Sequence, residues 1–94
     1  MTDEVLLSNF FVAIKLDPRI STTHIGIYAA VLQYYNEHGC KNPMYVFSHE
    51  LMYIAKISGA ATYHKGIRAL SEYGYLRYEP SFKRTKGSKI LLKV

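Results

Sequence analysis

Apolar residues recur at helical spacing between positions 22 and 37 and predict the longest helix of the chain. Serine and threonine hydroxyls precede this stretch and can cap its first turn, and His38-Gly39 ends it. The main apolar stripe consists of Ile25, Tyr28, Ala29, Leu32 and Tyr35, and a second flank consists of Ile27, Val31 and Tyr34. A helix that is apolar on two sides is either central to the fold or partly covered by a partner.

A short helix is predicted from Ser48, followed by a tight turn. Ser48 can cap this helix, because its hydroxyl oxygen can accept a hydrogen bond from an N–H group of the first turn. The acidic Glu50 in that turn suits the helix dipole. The small residues 58–60 then interrupt the pattern over about the length that a helix-turn-helix corner needs.

A further helix is predicted over about 60–73, ending at Gly74, a residue type that commonly terminates helices. Its apolar residues Tyr63, Ile67 and Leu70 form one stripe, so this face is expected to be buried. Gly66 lies within one turn of the stripe, where the lack of a side chain would let another helix approach closely. The outer surface is then left to Thr62, His64, Lys65 and Arg68.

Strand patterns flank these helices. Residues 9–16 alternate between apolar and other side chains and predict a half-buried strand, although residues 3–8, with an acidic first turn, could instead begin a short helix. Residues 44–47 are a short β-prone run. Residues 75–79 and 89–94 are expected to pair around the loop 80–88.

The positive charge is confined to the second half of the chain. The net charge is +5: residues 1–48 hold three basic and four acidic residues, and residues 49–94 hold nine basic and three acidic ones. Such an asymmetry indicates a polyanionic partner, nucleic acid before a membrane surface. A basic surface that serves only solubility is the alternative.

The segment ISGAATYHKGIRALSEYGYLRYEPS resembles the recognition half of winged helix-turn-helix proteins. The family's conserved turn, helix-start, apolar, leucine and glycine positions fall here on Ser58, Thr62, Ile67, Leu70 and Gly74. The stretches 24–39 and 47–58 are similar to those of replication-initiator-type proteins of phages and plasmids. They are also similar to small regulators carried on bacterial mobile elements.

The resemblance implies an α+β, mainly α, winged helix-turn-helix fold with three helices, a short strand and a C-terminal β-hairpin wing. One domain is expected over residues 1–94, with an N-terminal arm or strand at 1–19 and the winged helix core at 20–94. The helix over about 60–73 would then enter the major groove of double-stranded DNA. The basic wing, over about 80–89, would lie on the phosphate backbone or in a minor groove.

The residues expected to contact DNA are Ala60, Ala61, Thr62, His64, Lys65, Arg68, Lys83, Arg84, Lys86 and Lys89. Arg68 could bind guanine through two hydrogen bonds, whereas the small alanines would let the backbone approach the DNA. The helix carries few arginines, so phosphates and DNA shape are expected to supply more of the affinity than base contacts.

The expected function is DNA binding by a transcriptional regulator that acts as a homodimer, since one small module binds DNA weakly. The alternatives are a replication-initiation or element-maintenance factor, and a winged helix that binds another protein. The lone Cys40 and the acidic amino terminus indicate a cytoplasmic protein without membrane association. His38, Cys40 and His49 lack the paired spacing of zinc ligands. No enzyme, cofactor, metal or small-molecule ligand is indicated.

Overall fold

The chain folds into four helices and three strands within residues 3–83 and 85–93, the part that the computed structural model describes. In chain order these elements are α1 (Asp3–Ile14), α2 (Thr22–Glu37), β1 (Met44–Val46), α3 (Ser48–Ala55), α4 (Ala60–Glu72), β2 (Leu76–Glu79) and β3 (Ser88–Leu92). The protein is therefore α+β and mainly helical, which confirms the predicted class. No helix in these described ranges is both long and apolar enough to cross a membrane.

The three strands form one antiparallel sheet, in which β3 lies between β1 and β2. Met44 of β1 lies opposite Ile90, and Leu76 of β2 lies opposite Leu92. All four side chains are buried, because alternate residues of a strand point to the same face. The strands predicted over residues 44–47, 75–79 and 89–94 are thus confirmed to within two residues at each described end.

Asn42 adds a further link at the edge of this sheet. Its side-chain amide donates a hydrogen bond to the Leu92 carbonyl oxygen and accepts one from the Leu92 N–H, both at 2.9 Å. The Asn42 side chain thus satisfies both backbone groups of Leu92, in place of the backbone hydrogen bonds that a longer β1 would have made with β3.

Helix α2 lies at the centre of the core. Its second apolar flank is covered within the chain, since Ile27 and Val31 have no exposed surface. Helix α4 packs across α2 at Gly66, where an added Cβ atom would come within 2.4 Å of Ile27 Cδ1. The predicted buried stripe of α4 and the predicted close approach at Gly66 are both confirmed.

The strand predicted over residues 9–16 is wrong, because residues 9–14 belong to helix α1, and the alternative of a helix that begins within residues 3–8 is confirmed. Leu6, Phe10 and Ile14, spaced four apart, are buried together, and the Phe10 ring stacks on Tyr28 at 3.9 Å between centroids. Val12 is 70% exposed and Leu16 is 93% exposed, although a strand would have buried both with Phe10. Leu6, Phe10 and Ile14 fit both periodicities, and it is the exposure of Val12, between two buried positions of the same parity, that identifies the helix.

Two helix ends also differ from the predictions. Helix α3 begins at Ser48 itself, and the residue before it, Phe47, is the cap, with its N–H donating to Glu50 Oε2 at 2.9 Å. The turn between the two helices covers residues 56–59 and begins with Lys56 in the left-handed conformation, so Ala60 already belongs to α4.

The carboxyl end of α4 is as predicted. Gly74 has a φ of +86°, and the N–H groups of Gly74 and Tyr75 donate to the carbonyl oxygens of Ser71 and Leu70. This pair of bonds is a Schellman motif, in which the left-handed residue reverses the chain after the last helical turn. It directs the chain from α4 into β2.

Candidate nucleic-acid interface

The outer face of α4 carries the predicted helix residues. Ala60, Ala61, Thr62, Lys65 and Arg68 are exposed, and His64 is half-buried. The imidazole of His64 has Nδ1 2.9 Å from the Ala60 carbonyl oxygen. Because that oxygen can only accept, Nδ1 is the donor, and in the neutral ring Nε2 is left as an acceptor.

The loop between β2 and β3, described at residues 80–83 and 85–87 and here called the hairpin loop, faces this side of α4. A cleft of about 300 Å³ lies between them and is lined by His64 and Arg68 from α4 and by Lys83 and Lys86 from the loop. Ser48, at the start of α3, also lines this α4-side cleft. Four predicted residues that lie far apart in the sequence are therefore brought to one site.

Gly87 allows the hairpin loop to approach the sheet this closely. A Cβ atom built there would lie 2.7 Å from the backbone N and 2.8 Å from the backbone C of Val46. Backbone atoms cannot rotate away as a side chain can, so only glycine fits without moving β1 or the loop.

The remaining predicted residues are not brought to this cleft. Ala60, Ala61, Thr62 and Lys65 lie on the exposed first turns of α4 and do not line it, and Arg84 lies outside the described residues. Lys89 was expected at the tip of the wing, but it lies within β3, with Tyr45 and Glu79 opposite it on the two neighbouring strands. Because residues that lie opposite one another on neighbouring strands point to the same face, Lys89 lies with Tyr45 on the side of the hairpin loop that faces away from α4.

That other side has a cleft of its own, of about 450 Å³. This β1-side cleft is lined by Lys83, Lys86 and Lys89 together with the aromatic rings of Tyr45 and Phe82. Phe82 is 94% exposed and Tyr45 is 53% exposed. Neither ring was predicted as a site residue; the signals were a phenylalanine within a basic loop and the alternation of β1, which turns Tyr45 outward.

The cations of the two clefts are not neutralised by the described part of the chain. Its ion pairs are Arg19 with Asp17, at 2.9 Å, and Arg77 with Glu79, at 3.2 Å. Neither includes Arg68 or a lysine of the hairpin loop. These charges are held at the surface beside one another, and a bound polyanion would supply the missing counter-charge.

A contrasting polar cluster lies where the α1–α2 turn meets the end of α4. The guanidinium of Arg19 and the hydroxyl of Tyr75 both donate to the Asp17 carboxylate, and together they hold its pKa well below its usual range. The Arg19 guanidinium also lies 4.0 Å from the Tyr73 ring centroid. Each group here is satisfied by another, so the cluster joins two segments of the fold.

His38, Cys40 and His49 do not come together. His38 stacks on Tyr34 with centroids 3.8 Å apart, His49 stacks on Phe47, and Cys40 is exposed. In the described ranges, no group of three or more histidine, cysteine or acidic residues is placed to hold a metal ion.

Comparisons with family models, with curated proteins and with solved structures find no match to this chain.

Proposed function

We propose that this chain is a winged helix-turn-helix protein that binds double-stranded DNA and regulates transcription. The observation that carries the proposal is the α4-side cleft, where His64 and Arg68 of a helix lie beside Lys83 and Lys86 of a hairpin loop. The order of the helices, the turn before α4 and the strand order β1-β3-β2 all agree with such a fold.

In this arrangement α4 enters the major groove and the hairpin loop is the wing. The exposed residues Ala61, Thr62 and Lys65 face the groove, and their small or polar side chains let the helix backbone approach the base edges. Lys83 and Lys86 bind phosphates flanking the same groove. Arg68 lines the α4-side cleft and lies on the exposed face of α4 that enters the major groove, and it is the residue that contacts a base edge.

A salt titration of duplex binding, followed by fluorescence anisotropy, tests this proposal. Affinity should fall steeply with salt, because each phosphate contact releases counterions and adds about 0.9 to the log–log slope. Lys86→Ala should lower that slope by about 1 and weaken all sequences alike. Lys41→Ala removes an exposed lysine outside both clefts and is the matched control.

Arg68→Ala should behave differently from Lys86→Ala. It should cost about 1–3 kcal/mol on a preferred site selected from a random duplex library, and it should relax the sequence preference. A flat salt response, or equal losses for Lys41→Ala and Lys86→Ala, would contradict DNA binding and favour the protein-binding alternative.

We further propose that the protein acts as a homodimer through the outward face of α1 and the residues after it. Phe11, Val12 and Leu16 expose apolar surface there, at 46%, 70% and 93%. A twofold pair of modules would bind two half-sites and offset the weak binding of one small module. Sedimentation at working concentration should give a dimer, and a monomer with and without DNA would contradict it.

A further inference from the structure

The side of the hairpin loop that faces away from α4 combines aromatic rings with lysines. Tyr45 and Phe82 line the β1-side cleft together with Lys83, Lys86 and Lys89. No part of the duplex-binding proposal uses the two rings. The residues come from β1, the loop and β3, so the fold assembles them from three separate segments.

The placement of Tyr45 and Lys89 follows from the register of the sheet. The two residues are directly opposite one another on β1 and β3. Met44 and Val46 are buried on the inner face, so Tyr45 and its cross-strand neighbour are on the outer one. The Lys86 ammonium reaches over the same ring, with Nζ 5.8 Å from the centroid.

Burial within the chain does not account for these rings. Phe82 is 94% exposed, so its side chain gains almost nothing from packing. The one carboxylate of the cleft, Glu79, is paired with Arg77. What remains is a surface that combines the exposed Phe82 ring, the half-exposed Tyr45 ring and three ammonium groups, one of which already lies over Tyr45.

We propose that the β1-side cleft binds unpaired nucleotides, with bases stacked on Tyr45 and Phe82 and phosphates held by the three lysines. Any base offers a π-face, and base–aromatic stacking needs no sequence match. A duplex keeps those faces inside its own stack, so the ligand is single-stranded nucleic acid. An acidic peptide would match the lysines but would leave the rings without a partner.

This inference goes beyond the proposed function and assigns the two sides of one loop to two ligands. The α4-side cleft takes the duplex, and the β1-side cleft takes a strand that has left it. Phe82, Lys83 and Lys86 line both clefts and so lie at the point where the strands would part, whereas Tyr45 and Lys89 line the β1-side cleft but not the α4-side cleft.

The test is binding of a labelled oligothymidine about ten nucleotides long, within the range of known single-strand sites. Tyr45→Ala and Phe82→Ala should each weaken it roughly 5- to 150-fold, the usual effect of removing one stacking partner. Tyr53→Ala is the matched control, since Tyr53 is 76% exposed on α3 and lines neither cleft. It should change affinity by less than about twofold, as surface substitutions usually do.

A direct reporter is available because the chain contains no tryptophan. Phe82→Trp places a single indole in the cleft, and stacking of a base on it should quench its fluorescence in a saturable way. Oligothymidine and oligouridine arms identify the strand as DNA or RNA by the tighter binding, and either one supports the proposal.

The proposal is overturned if neither oligonucleotide binds, or if Tyr45→Ala and Phe82→Ala behave like Tyr53→Ala. Equal competition by polyglutamate would also overturn it, because it would show a surface that recognises charge alone. Arg68→Ala should weaken duplex binding and leave oligothymidine binding unchanged. Failure of the wild-type protein to bind any duplex while it still binds oligothymidine would reject the proposed function and support this inference.

Discussion

The two faces of α4 differ in what they contact: the inner face packs within the fold, and the outer face is exposed to solvent and to any partner. On the inner face, Tyr63, Gly66, Ile67 and Leu70 are buried against α2 and the sheet. On the outer face, Thr62, Lys65 and Arg68 are exposed. One turn of helix therefore contains residues whose contacts are complete within the chain and residues whose side chains face solvent.

The difference between the faces is largest at two neighbouring positions. Ile67 has no exposed surface, whereas Arg68, the next residue, lines the α4-side cleft. Burial of an isoleucine stabilises the fold by about 1.5–3 kcal/mol, and an exposed arginine adds little. Neighbouring substitutions can consequently separate folding from binding without changing the helix around them.

The largest expected effect is that of Ile67→Ala. Its free energy of unfolding should fall by about 2–5 kcal/mol, because the substitution leaves a cavity beside α2. Arg68→Ala should change it by less than about 0.5 kcal/mol. Chemical denaturation followed by circular dichroism measures both values.

Ile67→Val keeps this comparison measurable if the alanine variant does not fold. It removes one methyl group and should cost about 0.5–1.5 kcal/mol, with duplex affinity unchanged once the variant is folded. A stability loss for Arg68→Ala as large as that for Ile67→Val would show that the outer face also contributes to the fold.

A smaller effect is expected at Gly66, where the inner face touches α2. Gly66→Ala should destabilise the protein by up to about 2 kcal/mol, because overpacking against Ile27 outweighs a gain of about 1 kcal/mol in helix propensity. Ile27→Val removes the Cδ1 atom that an alanine Cβ would meet at 2.4 Å. The double variant should therefore be more stable than the sum of the single effects by about 0.5–3 kcal/mol.

This double-mutant cycle has a clear opposite outcome. Strict additivity of Gly66→Ala and Ile27→Val in denaturation measurements would mean that α2 and α4 do not approach through this contact. The close packing of the inner face would then have to depend on the neighbouring residues Tyr63 and Leu70.

The inner face was predictable from the sequence because its residues obey one periodicity. Tyr63, Ile67 and Leu70 share a stripe, and Gly66 and Gly74 have local reasons to be glycine. The amino-terminal helix was predicted only as an alternative, because the apolar residues from Phe10 to Leu16 fit a strand as well as a helix. The exposure of Val12, between the buried Phe10 and Ile14, decides for the helix.

The candidate site was predictable only residue by residue. Arg68 and Lys86 were singled out by charge, but their common cleft depends on how far the hairpin loop folds over the sheet. That distance is set by the contact of Gly87 with the Val46 backbone. The two residues are far apart in the sequence, so no pattern of neighbouring residues predicts this contact. The position of Lys89 was predictable from strand parity. Ile90 and Leu92 are apolar and share the buried face, and Lys89, one residue before Ile90, must therefore point to the opposite face.

The smallest expected effect concerns the first turn of α2, which lies against Gly66 through Thr23. The next residue, His24, accepts a hydrogen bond at Nδ1 from the Ser21 N–H at 2.9 Å, and only an unprotonated Nδ1 can accept. Burial lowers the pKa of His24 from 6.5, while the negative charge of Asp17 acts in the opposite direction.

The unfolded chain consequently binds a proton at His24 more readily than the folded protein. The stabilisation that unprotonated His24 gives the folded state is fully present above pH 6.5. It is lost as the pH falls through the lower pKa that His24 has in the folded state. Thermal unfolding should show a lower midpoint at about pH 5.5 than at about pH 7.5. His24→Gln should reduce that difference, and His49→Gln, on α3, is the matched control. An unchanged pH dependence in His24→Gln would show that the hydrogen bond at His24 Nδ1 is not what protonation weakens.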